Sequence, residues 1–395
     1  MENSYFDKHE IKKIIGQVRR SSILRDSNQY QGSLYRDLVK TFEKYQKFIL
    51  ECEGYGPLSQ NLKNNRTLVC ELCNALLEVM QAFLTGDVRR AYNIFSDMLD
   101  RQEVIDCFNF ISKPLGEWAR PERPLYRVRA SSRPLEYRED IFHIPFNMRH
   151  LVQTQRYSVA GLPCLYLGTS LYICWQEVGK PDFDKLYVSA LYATSAAKEL
   201  NILNFAYNLN TLADYRFLNA LNDEYKNDDD INNILLSHLI LWPLVASCSY
   251  IKNNESGAFN QEYIIPNLLM QKIASERLNN ISGIAYLSTK SVKNTNANLG
   301  VNIIIPPKSD FEEMQNNKYC SVLSNGFLMT TPISWQLLEA LTYDYKVNNG
   351  LSLTKKIENI HETLMDDYHF TTFYKLEEKL KDKFQFRALN SSRIV

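Results

Sequence analysis

The stretch Gln153–Glu177, QTQRYSVAGLPCLYLGTSLYICWQE, constrains the fold of this chain more than any other feature. Cys164–Leu167 is a short apolar run typical of a buried strand, and the Gly-Thr-Ser turn after it supplies a helix cap. Apolar residues then recur at helical spacing from Leu171 onward. The pattern predicts a strand, a tight turn and a mostly apolar helix that carries Glu177 near its end. Because a carboxylate in such a setting costs free energy unless it is paired or used, Glu177 is a candidate functional residue.

The charge balance of the chain limits its partners. Its 395 residues include 45 Lys and Arg and 45 Asp and Glu, which leaves no net charge. A strongly basic surface for nucleic acid is therefore absent at the level of the whole chain. Anionic small molecules remain open as partners, because one arginine in a pocket is enough to bind them.

The sequence predicts a cytoplasmic protein with no membrane partner. Its first residues, MENSYFDKHEIKK, lack the apolar core of a signal peptide. No run reaches the roughly 18 apolar residues that span a bilayer; Ile234–Tyr250 comes closest but contains His238 and two serines. The eight cysteines are scattered along the chain, which fits a reducing compartment.

Changes in pattern along the chain predict an α+β fold in three consecutive domains. Residues 1–115 have helical periodicity, and Pro114, Pro121 and Pro124 mark a boundary after them. Residues 120–310 mix short β-type runs with helices and form the predicted catalytic domain. Residues 311–395 are predicted to be helical again.

The predicted elements follow from the spacing of apolar residues. Helices are predicted at Tyr35–Cys52, Leu68–Phe83, Val88–Leu99, 210–221, 231–241, Trp335–Tyr345, Leu353–Met365 and Lys375–Phe384. Strands are predicted at Leu125–Val128, Cys164–Leu167, Leu186–Tyr192, Ile264–Ile265 and Val301–Ile305. The acidic, asparagine-rich segment Asn222–Asn233 is predicted to be a solvated loop.

Common catalytic and phosphate-binding motifs are missing from the sequence. It has no Walker loop, no G-x-G-x-x-G, no H-E-x-x-H and no G-x-S-x-G. If the chain binds a nucleotide, arginines and hydroxyl groups must hold the phosphates. Cys70 and Cys73 form the one close cysteine pair, and their place inside an amphipathic helix favours packing over metal binding.

One short motif has the spacing found in a family of ribonucleases. Arg138–His143, REDIFH, has the arginine-four-residues-histidine spacing of HEPN-type ribonucleases, in which the histidine takes part in acid–base chemistry. Such enzymes need the motif on a helix. Here it lies in a proline-bounded stretch, so structural pairing is the competing interpretation.

The segment from residue 125 onward resembles the RES domain family, over about half of the chain. The resemblance is carried by the opening LYRV at 125–128, by RYSVAGLP at 156–163, by LYL at 165–167, by Ser170, by Glu177 after six intervening residues, and by a later serine. Ser158 and Val159 depart from the asparagine and proline of the family pattern. Ser249 is assigned as the later serine, with Ser247 as the alternative.

The resemblance implies a fold like that of the diphtheria-toxin type of ADP-ribosyltransferase, with NAD+ as substrate and no metal. It assigns the catalytic roles to Glu177, Arg156 and Tyr166. It assigns NAD+ binding to four further residues, namely Arg127, Tyr126, Tyr157 and Ser249.

The same resemblance implies a bacterial toxin or an anti-phage defence effector that cleaves the nicotinamide–ribosyl bond, as a glycohydrolase or a phosphorylase. Inorganic phosphate, an antitoxin or other regulatory protein, and a second copy of the chain are the partners it implies. Residues 1–115 look like the helical segment, related to HEPN domains, that begins longer relatives. The alternatives are an ADP-ribosyltransferase acting on a macromolecule, a HEPN-like ribonuclease, and a regulatory protein that binds the nucleotide without turnover.

Overall fold

The structure is a computed structural model of the chain. It describes all residues except 1–7, 21–22, 24–28, 53–55, 226, 255–256, 276–277, 279, 291–299, 342–367 and 391–395.

The described residues form helices and strands in an α+β arrangement, which confirms the predicted fold class. The helices are α1 (Lys8–Arg20), α2 (Leu34–Glu51), α3 (Pro57–Asn64), α4 (Arg66–Leu84), α5 (Val88–Leu99), α6 (Gln102–Ile111), α7 (Leu115–Trp118), α8 (Arg138–Ile141), α9 (Leu171–Glu177), α10 (Tyr215–Glu224), α11 (Asp228–Ile240), α12 (Trp242–Cys248), α13 (Ile264–Ala274), α14 (Phe311–Asn316), α15 (Ser321–Gly326), α16 (Trp335–Leu341) and α17 (Thr372–Lys383). The strands are β1 (Ser112–Pro114), β2 (Leu125–Ala130), β3 (Leu165–Gly168), β4 (Leu186–Ala193), β5 (Asn201–Phe205), β6 (Ile281–Leu287), β7 (Val301–Ile305), β8 (Phe327–Met329) and β9 (Ile333–Ser334).

The chain divides into two compact units, and each is assembled from separate stretches of sequence. Unit 1 comprises Met1–Ser112, Gln155–Tyr157 and Tyr207–Asn279. Unit 2 comprises Lys113–Thr154, Ser158–Ala206 and Asn280–Val395. The division therefore differs from the three consecutive domains predicted above, because the segment 120–310 contributes to both units and 311–395 belongs with the sheet. A boundary at Ser112 does coincide with the start of the proline-containing stretch.

Unit 1 is helical, and its helices form where apolar residues recur every three or four positions. In α4 these residues include Leu68, Leu72, Leu76 and Val79, all buried, as the periodicity predicts. The helix ends at Leu84, and Gly86 follows with a φ of 90°, a conformation that favours glycine.

Two predictions in unit 1 were wrong, and both errors concern helix beginnings. The segment predicted as a loop contains the start of α11, whose first turn holds Asp228, Asp229 and Asp230 behind the capping side chain of Asn227. Acidic residues there interact favourably with the positive end of the helix dipole, so the charge is part of the helix. The predicted strand Ile264–Ile265 is the first turn of α13.

Unit 2 contains the sheet. In the described part of the chain nine strands join in the order β1-β5-β6-β7-β3-β2-β4-β8, with β9 also paired to β4. Strands β5 and β6 are parallel, and the pairs β6–β7, β7–β3, β3–β2 and β2–β4 are antiparallel. Three of the predicted strands, those opening at 125, 164 and 186, lie within one or two residues of their observed bounds, and Val301–Ile305 matches them.

The two faces of the sheet are covered by separate apolar clusters. Alternate residues of a strand point to opposite faces, and Leu125 and Leu165 belong to one cluster whereas Tyr126 and Val128 belong to the other. The second cluster consists mainly of α9 and α17 packed on β2 and β4. We call its side of the sheet the α9 face.

One described helix has the length and hydropathy of a membrane span. It is α4, with 19 residues, and 44% of its apolar window is buried within the protein. The bent pair α11–α12, which contains much of Ile234–Tyr250, passes the same test only if it is taken as one span.

Candidate functional site

The short helix α9 forms as the sequence predicts and places Glu177 at its end. The Ser170 hydroxyl caps it by accepting a hydrogen bond from the amide of Ile173 at 3.2 Å. Residues Leu171 to Gln176 are buried, and Glu177 is partly exposed. The carboxylate therefore lies where the buried helix reaches the surface of unit 2.

Two neutral donors hold the carboxylate of Glu177. Its Oε1 atom accepts hydrogen bonds from the hydroxyl of Ser288 at 2.6 Å and from the side-chain amide of Asn302 at 2.7 Å. The ammonium of Lys290 donates to the backbone carbonyl of Glu177 at 3.0 Å. Hydrogen bonds from neutral donors fix a carboxylate in place and leave its negative charge uncancelled.

Tyr166 shares the sheet face on which Glu177 is held. Paired residues of neighbouring strands point to the same face, and Tyr166 pairs with Ile304 while Gly168 pairs with Asn302. Tyr166 and Asn302 are thus diagonal neighbours, at a separation that aromatic side chains can reach. Tyr126 pairs with Gly168 from the other side and belongs to the same α9 face. The structure brings these predicted residues to one surface of the sheet.

Arg127 points away from that face, because it follows Tyr126 in the strand. Its guanidinium donates to three backbone carbonyls, those of Ile141, of Tyr166 at 2.6 Å and of Phe142 at 3.2 Å. Burial lowers the pKa of Arg127 to about 10, so it remains charged at neutral pH. Strands β2 and β3 share a single residue pair, and the Arg127 side chain bridges the place where they diverge. These contacts make Arg127 part of the scaffold of the sheet, and its role in binding NAD+ stays a prediction.

Arg156 belongs to unit 1, and its guanidinium is likewise occupied by backbone carbonyls. It donates to the carbonyls of Cys248 and Tyr250, and it lies over the ring of Tyr263 at 5.1 Å. The side chain is only 5% exposed. A cation beside the last carbonyls of α12 interacts favourably with the negative end of that helix. These contacts give Arg156 a structural role in unit 1, and its catalytic role stays a prediction.

The other two predicted residues of unit 1 lie near Arg156. Tyr157 is buried with a φ of 58°, a conformation unusual for a bulky residue, and its side chain is hydrogen-bonded to that of Cys248. The hydroxyl of Ser249 donates to the carbonyl of Val245 at 2.6 Å, and that of Ser247 to the carbonyl of Pro243 at 2.8 Å. Ser249 is partly exposed and Ser247 is buried. Of the two serines, Ser249 is the one that solvent reaches.

The predicted site residues are thus divided. Glu177, Tyr166, Tyr126 and Arg127 lie in unit 2, whereas Arg156, Tyr157 and Ser249 lie in unit 1. The candidate site that unit 2 forms by itself consists of Glu177, Ser288, Asn302, Tyr166 and Lys290.

Unit 2 also contains a cavity of about 290 Å³ at the opposite end of α9. Tyr126, Thr169, Tyr374 and Glu377 are among its lining residues. Burial raises the pKa of Tyr126 well above its ordinary value, and the carboxylate of Glu377 adds to the shift. Tyr126 therefore stays protonated at neutral pH.

The histidine of the ribonuclease motif is a structural residue. His143 is 0% exposed, its Nδ1 atom lies 2.8 Å from the carbonyl of Ile144, and its Nε2 atom accepts from the amide of Cys320 at 3.2 Å. Burial lowers its pKa to about 4. Helix α8 ends at Ile141, and Arg138 donates to the carbonyl of Met329. The motif thus lacks the helical, accessible setting that the ribonuclease alternative requires.

Ser288 and Asn302, whose side chains donate to the carboxylate of Glu177, were not among the residues predicted from the sequence. Asn302 did carry a signal, because it is a polar residue within the apolar strand VNIII, and such a residue is buried only when it is hydrogen-bonded. Ser288 had no comparable signal. Among the residues that the structure describes, no group of three or more His, Cys, Asp or Glu side chains is placed to hold a metal ion.

The fold and this site define an α+β protein with a carboxylate held by neutral donors from the central strand β7 and from the residue after β6 of a mixed sheet. The chain is 28% identical over 326 residues to a protein of Bacillus subtilis (strain 168) named "Putative toxin YopC", in an alignment that covers 79% of this chain and 68% of that protein. No protein-family model matches the sequence, and no solved structure matches it. An alignment of this length extends beyond either unit, so the similarity concerns both.

Proposed function

We propose that this protein is a toxin that degrades NAD+ by cleaving the bond between nicotinamide and ribose. Three observations support the proposal. The similar Bacillus subtilis protein has toxin in its name. The motif residues resemble those of the RES family. The carboxylate of Glu177, held by Ser288 and Asn302 at a partly exposed position, carries the argument for catalysis.

The chemistry needs a fixed negative charge. Cleavage of a ribosyl bond passes through a state with positive charge on the sugar, as in glycoside hydrolysis. A carboxylate beside the sugar stabilises that state more than the substrate, and it does so best when its position is set beforehand. Ser288 and Asn302 set the position of Glu177, and Tyr166 offers an aromatic surface on the same face.

In this proposal the ammonium group of Lys290 binds the phosphates of NAD+. Its ammonium lies beside the backbone of Glu177, at 3.0 Å from the carbonyl oxygen. Arg127 and Arg156, which the resemblance assigns to NAD+ binding and to catalysis, donate to backbone carbonyls.

The test is release of nicotinamide by the purified full-length protein. NAD+ is incubated with the protein, with and without inorganic phosphate, and the products are separated by chromatography. We expect the Glu177→Gln variant to lose on the order of 10²- to 10³-fold in rate, because the amide has the same shape without the charge. Glu312→Gln, the same exchange at an exposed position, is the matched control.

The products identify the acceptor of the ADP-ribose group. Free ADP-ribose indicates water, phosphate-dependent ADP-ribose-1″-phosphate indicates a phosphorylase, and transfer of label to a macromolecule indicates an ADP-ribosyltransferase. Absence of nicotinamide release from the unmodified protein would overturn the proposal. In cells, expression in the cytoplasm should arrest growth, and Glu177→Gln should relieve the arrest.

A further inference from the structure

A residue near the end of the described chain reaches the beginning of the helix that carries Glu177. Glu377 lies in α17, and its Oε1 atom accepts hydrogen bonds from the backbone amide of Leu171 at 2.7 Å and from the hydroxyl of Tyr368 at 2.6 Å. Glu377 is only 5% exposed. A buried carboxyl group is costly unless it is hydrogen-bonded, and here its bonds lead directly to α9.

Helix α9 depends on such contacts for its position. It has seven residues, and a helix of this length is not stable on its own in water. The first amides of a helix have no partner within it. Ser170 accepts from the amide of Ile173, and Glu377 accepts from that of Leu171. Two different parts of the sequence therefore cap the same turn.

The packing of α17 holds α9 along its side as well. The centroid of the Phe373 ring lies 5.4 Å from that of the Tyr172 ring and 5.7 Å from that of the Trp175 ring. Trp335 extends the cluster, at 5.1 Å from Phe373. With the aromatic contacts on one side and the carboxyl group at the end, neither a shift along the helix axis nor a rotation of α9 leaves both sets of contacts intact.

We propose that Glu377 is a positioning residue for the site at the other end of α9. By holding the amide of Leu171 it fixes where the helix presents Glu177 to Ser288 and Asn302. The inference rests on the proposed NAD+ cleavage for its kinetic readout, but the contact itself is open to a measurement that needs no activity.

The first experiment measures hydrogen exchange of the segment Leu171–Glu177 in the full-length protein. Glu377→Gln retains an oxygen that accepts from Leu171, so we expect exchange close to that of the unmodified protein. Glu377→Asp shortens the side chain and withdraws the acceptor, so we expect exchange on the order of tenfold faster. Glu378→Asp, the same exchange at the neighbouring position that pairs with Lys381, is the control. Equal protection in the Gln and Asp variants of Glu377 would overturn the proposal.

The second experiment measures kcat and KM for nicotinamide release in the same variants. A displaced catalytic group costs on the order of 10- to 100-fold in rate, so Glu377→Asp should lower kcat by this factor with little change in KM. Glu377→Gln should keep kcat within about threefold of the value of the unmodified protein. The longer side chain still reaches the amide of Leu171, and the hydrogen bond needs an oxygen acceptor but no charge. A fall in kcat that is the same for Gln and Asp would contradict a positioning role.

The two proposals fail in different ways. If the unmodified protein releases no nicotinamide, the proposed function is wrong, while the exchange measurement still decides whether Glu377 holds α9. If nicotinamide is released and Glu377→Asp changes neither exchange nor kcat, only the positioning role is wrong.

Discussion

The carboxylate of Glu177 accepts a hydrogen bond of 2.7 Å from the side-chain amide of Asn302, although 125 positions separate the two residues in the chain. Asn302 lies in the apolar strand β7 and is buried, and its side-chain amide donates to this carboxylate. The contact joins the helix that carries the candidate catalytic group to the middle of the sheet.

Removing the amide should therefore weaken catalysis. We expect Asn302→Ala to lower kcat for nicotinamide release about tenfold or more, because a hydrogen bond to a charged group contributes roughly 1.5–3 kcal/mol. The measurement is the initial rate at saturating NAD+. Asn325→Ala, at an exposed position, serves as the control. A variant with unchanged kcat would show that Asn302 does not orient Glu177.

We expect the side chain of Arg156 to stabilise the folded protein. Its guanidinium donates to the carbonyls of Cys248 and Tyr250, so Arg156→Ala leaves both without these donors in a buried place. We expect the denaturant midpoint of unit 1 to fall by an amount equivalent to about 2–4 kcal/mol. Arg89→Ala, an exposed arginine in the same unit, should have little effect. Full stability of Arg156→Ala together with a large fall in kcat for nicotinamide release would instead support the predicted catalytic role.

We expect the buried side chain of His143 to make the folded protein less stable in acid. Its pKa is lowered from 6.5 to about 4 by burial, with a smaller contribution from the charge of Arg127. Between these values the unfolded chain binds a proton that the folded protein does not, so stability falls as the pH is lowered from about 6.5 to about 4. The neutral variant His143→Gln should lack this dependence. The free energy of unfolding of both proteins across this range is the measurement, with His150→Gln, at an exposed position, as the control.

The buried carboxyl group of Glu377 should make folding stability depend on pH with the opposite sign. Its pKa is raised from 4.5 to about 8, chiefly by burial, and the hydrogen bonds from Tyr368 and Leu171 only partly oppose this. The folded protein then holds a proton that the unfolded chain releases, so the contribution of Glu377 to stability is greatest below pH 4.5 and declines up to about pH 8. Relative to the original protein, Glu377→Gln should gain stability on the order of a few kcal/mol over this range. If the difference in free energy of unfolding between the two proteins stays the same from pH 5 to 9, this prediction is wrong.

Local pattern predicted much of the secondary structure. The run of apolar residues before Gly168 became β3, Ser170 became the cap of α9, and the spacing from Leu171 became the helix itself. These features depend on neighbours within a few positions, which a sequence displays directly. The errors at Asp228 and Ile264 arose where charge or β-branching suggested one structure and the surrounding helix determined another.

The role of each arginine was not open to prediction from the motif alone. Arg127 and Arg156 match the positions of the family pattern, yet both donate to backbone carbonyls supplied by distant segments. Whether a guanidinium is available to a ligand depends on which carbonyls the fold brings near it, and no spacing within the motif contains that information.

The sequence by itself determined that a short helix would present Glu177 behind a buried strand, because caps and apolar periodicity act over a few residues. Only the tertiary structure decided what holds this carboxylate. Asn302 in β7, Ser288 directly after β6 and Glu377 in α17 are far along the chain from α9. They meet it because strand pairing and the packing of α17 on the sheet place them there. Hydrogen bonds act over about 3 Å, so they are made by residues that the fold brings together, whatever their separation in the sequence.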